Sequence, residues 1–77
     1  MSTSTHEAVA LDVRIDEEIH VRLLDGRTVS APLSWFPRLA AATPAQRADW
    51  RLIGRGEGIH WPQLDEDLSV AGLLAGR

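Results

Sequence analysis

Apolar and polar residues alternate along the first part of the chain. Val9, Leu11, Val13 and Ile15 share one face of an extended segment, with Ala10, Asp12 and Arg14 between them. A period of two is the mark of a half-buried strand. Asp16-Glu17-Glu18 interrupts it, and Ile19, Val21 and Leu23 restart it with His20 and Arg22 on the opposite face. Asp25-Gly26 then supplies a two-residue turn that needs positive φ at both centres. Residues 27–31 return with Val29 and Ala31 as the apolar set, and Pro32 ends the ladder. Three antiparallel strands are predicted.

The pattern then changes period. Leu33-Ser34-Trp35-Phe36-Pro37-Arg38-Leu39 opens a short helix in which Ser34 can act as N-cap and Trp35 and Leu39 share a face. Thr43-Pro44-Ala45-Gln46 is a capping box with proline at the first helical position, so a second helix is expected to reach about Trp50. Arg51-Leu52-Ile53 closes that helix or forms a fourth strand. The glycines from Gly54 to Gly58 favour a second hairpin, with Ile59-His60-Trp61 as its return strand and Pro62 as its stop. Ser69 can cap a last helical turn through Val70, Leu73 and Leu74, with Gly76 as its end. Asp65-Glu66-Asp67 would then lie beside that helix N-terminus, where negative charge is favourable.

With 77 residues the chain is one domain near the lower size limit for folding without staples. It has no cysteine, so no disulfide or thiolate metal site contributes. Apolar burial must carry its stability, and Trp35, Phe36, Trp50 and Trp61 are expected in a core covered by Val9, Val13, Val21 and Leu68. Residues 1–7 are expected as a disordered tail, and residues 8–77 as a single domain. The start lacks the basic and apolar regions of a signal peptide, and no run approaches a membrane span. A cytoplasmic location is expected.

Net charge is mildly acidic, but unevenly spread. Arg27, Arg38, Arg47, Arg51 and Arg55 make the middle basic between acidic ends. With Trp35 and Trp50 interleaved, these arginines are the candidate contacts for an anionic partner. The alternative is solvated or internally paired charge. His60 with Asp65 and Asp67 is the only grouping with metal-ligand chemistry, and no second histidine or cysteine has ligand spacing. A solvated acidic turn is the simpler reading. The glycine run lacks the ending of a phosphate-binding loop, and Ser34 and Ser69 read as helix caps rather than nucleophiles. Neither an enzyme nor a cofactor is expected.

Asp25-Gly26-Arg27, the block from Pro32 to Leu39, Thr43-Pro44-Ala45-Gln46-Arg47, and Gly58-Ile59-His60-Trp61-Pro62 with Leu64-Asp65-Glu66-Asp67-Leu68-Ser69 resemble the bacterial domain-of-unknown-function family numbered 2442. The resemblance implies a small α+β protein, similar to the N-terminal domain of a Nitrosomonas protein that carries a helix-turn-helix. It also implies a gene neighbour encoding another small protein, an arrangement like a toxin–antitoxin pair. The sequence through Gly76 offers no DNA-reading helix pair.

The expected fold is thus α+β: a three-stranded antiparallel sheet, two short helices, a second small hairpin and a short C-terminal helix. The expected function is a non-enzymatic, antitoxin-like interaction domain that covers a partner with an apolar patch flanked by arginines. The alternative is a nucleic-acid-binding accessory or regulator acting through the arginine-rich middle. A homodimer is a further way to close an open sheet edge.

Overall fold

The structure is a computed structural model that describes residues 8–76. The expected N-terminal tail lies outside the described residues. Strands β1 (Ala10–Ile15), β2 (Glu18–Leu23) and β3 (Thr28–Pro32) form an antiparallel sheet in the order β1-β2-β3. The β2–β3 hairpin turns at the Asp-Gly pair but over three residues: Leu23 pairs with Arg27, and of Leu24, Asp25 and Gly26 only Gly26 has positive φ, 96°. The expected two-residue turn with positive φ at both centres is corrected in this respect, because a three-residue loop needs the left-handed conformation only at its last position.

The alternation in β1 breaks at one point. Ala10 pairs with Leu23 and Asp12 with Arg22, so Leu11 is an extra residue in a β-bulge. A bulge swaps the faces on either side of it. Ala10 and Val13 therefore point into the core, while Leu11 is 47% exposed. The expected apolar face of Val9, Leu11, Val13 and Ile15 is corrected in this respect.

Helix α1 (Pro37–Ala40) follows a 3-10 turn over Leu33–Trp35, and α2 is Pro44–Ala48. Ser34 caps neither element: the 3-10 turn has Pro32 at its N-cap with no side-chain bond. Thr43 does form the capping box, its hydroxyl accepting from the Gln46 N–H at 3.1 Å while the Gln46 side chain accepts from the Thr43 N–H at 3.0 Å. The second sheet holds one strand more than the expected hairpin. Strands β4 (Arg51–Ile53), β5 (Gly58–Trp61) and β6 (Glu66–Ser69) are antiparallel in the order β4-β5-β6. Two of the acids expected beside the last helix, Glu66 and Asp67, thus belong to a strand. Ser69 caps α3 (Val70–Leu74) through the Gly72 N–H at 2.8 Å.

One core joins both sheets. Ile19, Val21 and Leu23 of β2 meet Leu33, Phe36 and Leu39, and from the other side Ile59, Trp61, Leu68, Val70 and Leu73. The aromatic expectation divides. Trp61 is fully buried and Phe36 buried, Trp50 packs half-buried against the core, and Trp35 is 48% exposed. Trp35 lies between Leu33 and Phe36 in a turn of three residues per revolution, so those two share the inner side and Trp35 points out. The helix it was to share with Leu39 is interrupted at Phe36, whose φ −126° and ψ 82° are not helical.

The β1–β2 turn carries one titrating contact. The Asp16 carboxylate accepts the Glu18 N–H at 2.8 Å and meets the His20 ring at 2.9 Å. The Glu18 N–H first, and His20 second, hold its carboxyl below the ordinary carboxylate value. A group depressed in the folded state stabilises above its unfolded pKa and loses that effect as pH falls through the folded value. The urea midpoint of the wild-type chain should therefore fall more than that of Asp16→Asn as pH drops below about 4. Parallel midpoints in the two proteins would remove this role from Asp16.

Candidate functional site

The two concavities of interest both border β1. The first is a groove of about 320 Å³ lined by Val13, Arg14 and Ile15 on one side and Pro44, Arg47, Ala48 and Trp50 on the other. Pro44, Arg47 and Ala48 are spaced three and four apart, so one face of α2 forms the wall. The half-buried Trp50 closes the apolar floor, and Arg14 and Arg47 bring positive charge to the rim. Chemically the groove suits an apolar side chain with a negative group beside it.

The second, of about 280 Å³, lies on the outer face of the first sheet between Asp12, Arg14, His20, Arg22 and Thr28. Register explains the grouping. Arg14, His20 and Ser30 form one cross-strand row, and Asp12, Arg22 and Thr28 the next. His20 is fixed by Ser30 at 2.8 Å and Asp16 at 2.9 Å. Arg14 and Arg22 form no ion pair within 4 Å with a described residue, and Arg14 lines both concavities.

The arginines expected to meet a partner do not converge. Arg47 donates from Nε to the Leu39 carbonyl and from Nη2 to that of Ala40, both at 2.9 Å, and so closes the end of α1. Its own carbonyl accepts the Trp61 indole N–H at 3.0 Å. Arg38 donates to the Asp65 carbonyl at 2.7 Å and pins the β5–β6 connection, where Asp65 has φ 51°. Arg27 pairs with Asp25 at 2.8 Å at the first hairpin turn, and Arg51 with Asp49 at 3.5 Å. Arg55 is exposed on the glycine turn. Of these five, only Arg47 reaches the groove.

Sequence reasoning passed over Arg14, because it lies in the acidic segment and on the polar face of its strand. Its period-two spacing from Asp12, and the hairpin that sets it opposite His20, were the available signals. His60 and Asp67 do meet across β5 and β6, imidazole to carboxylate, on an exposed face. The Asp65 side chain takes no part in that contact. Among the described residues no three His, Cys, Asp or Glu side chains gather as a metal site.

The molecule is thus a small α+β domain in which two antiparallel three-stranded sheets share a core. Residues 9–77 match the family described as "Protein of unknown function (DUF2442)", and the chain belongs to that family. It is similar to a solved protein of unknown function from Rhodospirillum rubrum, with 35% identity and a TM-score of 0.75 over 88% of this chain and 86% of that one. No curated protein matches the sequence. None of the helices among the described residues is long and apolar enough to cross a membrane.

Proposed function

We propose that this domain is a non-enzymatic interaction module, the antitoxin-like partner in a bacterial two-gene system, and that it engages its partner through the groove between β1 and α2. The observation that carries the reading is the groove's lining. Its side chains are apolar apart from two guanidiniums, with no carboxylate, imidazole or hydroxyl to move a proton or attack a bond. A surface of that kind binds by burying apolar area and matching charge.

The test is co-expression with the product of the adjacent gene. Ala48→Glu puts a carboxylate into the groove wall at an exposed position where the fold tolerates it. It should cut co-purification by at least about tenfold, equivalent to about 1.4 kcal/mol, because a charge must then be desolvated on binding. Ala71→Glu, exposed on α3 beside the opposite sheet edge, should leave it unchanged. Retention of the partner by Ala48→Glu with a wild-type unfolding curve would reject the groove as the contact.

A second reading has one observation in its favour. Arg14 and Arg22 lie on one open sheet face beside Thr28, His20 and a single carboxylate, Asp12, so two guanidiniums stand where phosphate oxygens of a nucleic acid could meet them. Retention of the purified domain on single-stranded RNA that falls steeply with salt, and is lost on Arg14→Ala with Arg22→Ala, would support it.

A further inference from the structure

We infer that the groove takes its partner as an added β-strand: an extended segment pairs with the free edge of β1, alternating apolar side chains inward and carboxylates outward. The inference rests on the interaction reading above and specifies its chemistry.

Backbone phase is the first argument. Antiparallel ladders alternate hydrogen-bonded and non-hydrogen-bonded pairs. The Asp16 N–H donates to the Glu18 carbonyl at 2.9 Å, which sets the hydrogen-bonded pairs at Arg14 with His20 and Asp12 with Arg22. The other side of β2 agrees, since the Leu23 N–H donates to Arg27 at 2.7 Å and residues 19, 21 and 23 therefore bond to β3. Val13 and Ile15 are then left with their N–H and C=O directed away from β2. Among the described residues β1 has no other strand beside it, and these groups make no other hydrogen bond.

Position is the second. Three consecutive residues, Val13, Arg14 and Ile15, line the groove, as they do when a concavity follows a strand's edge rather than one of its faces. A helix face stands opposite. An edge strand facing a helix across an apolar channel is the geometry of recognition by strand addition. The channel has a built end: the Gly56 carbonyl already accepts the Ala10 N–H at 2.8 Å and closes the edge there.

Charge selects the occupant. On the inner side an incoming residue meets Val13, Ile15, Ala48 and Trp50. On the outer side it lies beside Arg14, which forms no ion pair within 4 Å with a described residue although Asp12 and Asp16 are near it, with Arg22 one strand further. A segment alternating apolar and acidic residues satisfies both, and a basic one does not.

The test uses the full chain, isotope-labelled for NMR, titrated with a synthetic peptide alternating glutamate and valine and with its lysine counterpart. The glutamate peptide should shift the Val13 and Ile15 amides saturably and slow their exchange, and the lysine peptide should not. Ile15→Pro removes one edge donor outside the β2 ladder, a substitution edge strands accept. It should weaken binding by about tenfold, the value of a lost backbone bond, whereas Ile15→Val should not. Should Ile15→Pro fail to fold, protection of the Val13 amide in the wild-type chain decides. Unmoved Val13 and Ile15 amides, or equal binding of the lysine peptide, overturn the proposal. So does a dimer of the free domain that protects the same amides and resists the peptide, which gives the edge to a second copy. If the neighbouring gene's product is lost on Ala48→Glu yet held by Ile15→Pro, strand addition fails and the groove reading stands. If neither substitution matters, both fail.

Discussion

Trp61→Ala is expected to remove about 3–5 kcal/mol of stability, the range for an aromatic deleted from a packed interior. At roughly 0.05–0.15 kcal/mol per residue, a domain of this size has about 4–12 kcal/mol in total, so the loss removes a large share of it. Trp61 is fully buried and stands where the two sheets and α2 meet, its indole N–H given to the Arg47 carbonyl. The loss has two parts that separate experimentally. Trp61→Phe keeps most of the apolar area and gives up the hydrogen bond, leaving the Arg47 carbonyl without that donor at a cost of about 1–3 kcal/mol. Trp35→Ala, at a ring 48% exposed, should cost less than about 1 kcal/mol. Urea unfolding of the three variants checks the order. A similar midpoint for Trp35→Ala and Trp61→Ala would refute the division of the tryptophans into core and surface.

What the sequence made legible was what short stretches decide alone. The Thr43 capping box and the Ser69 cap each require only neighbours within a few residues, and each formed as read. The Asp25-Gly26 pair marked the place of the first turn but not its three-residue loop. The misses needed information from afar. The bulge at Leu11 is a property of two strands in register, and no reading of β1 alone reveals it. β6 hides behind Asp65-Glu66-Asp67, because one buried residue, Leu68, is all that its inner face needs beside Ile59.

The arginines disperse for a related reason. Charge counted along the chain made Arg38 and Arg47 look available. In the fold their guanidiniums go to carbonyls exposed by a short helix end and a tight connection, places fixed only by packing. Arg14 received little weight because its neighbours in sequence are acidic, although its neighbours across the sheet leave it free of ion pairs. Which arginines stand beside the groove is therefore decided by the fold and not by charge along the chain: Arg14 and Arg47 line it, and Arg27, Arg38, Arg51 and Arg55 do not.

Gly56→Ala is the second large effect, and it bears on both the fold and the groove. Gly56 has φ 100°, and a Cβ there would lie 2.7 Å from the Ala10 carbonyl oxygen and 2.9 Å from Val9 Cγ1. The first of these is backbone, held in β1, so it cannot swing aside. Left-handed strain of about 1–3 kcal/mol combines with a steric cost of about 1–3 kcal/mol, giving about 2–6 kcal/mol. Gly26→Ala is the internal control: φ is 96°, yet nothing lies within 4 Å of the added carbon, so only the conformational cost of about 1–3 kcal/mol remains. Equal urea midpoints for the two variants would mean that the approach of the glycine turn to β1 contributes nothing. The expected difference has a functional sequel. The contact that Gly56 makes with Ala10 sets the end of the groove and the position of β1 against α2, so folded Gly56→Ala protein should bind the partner more weakly than Gly26→Ala. A wild-type affinity in Gly56→Ala would place the interface away from this end of β1.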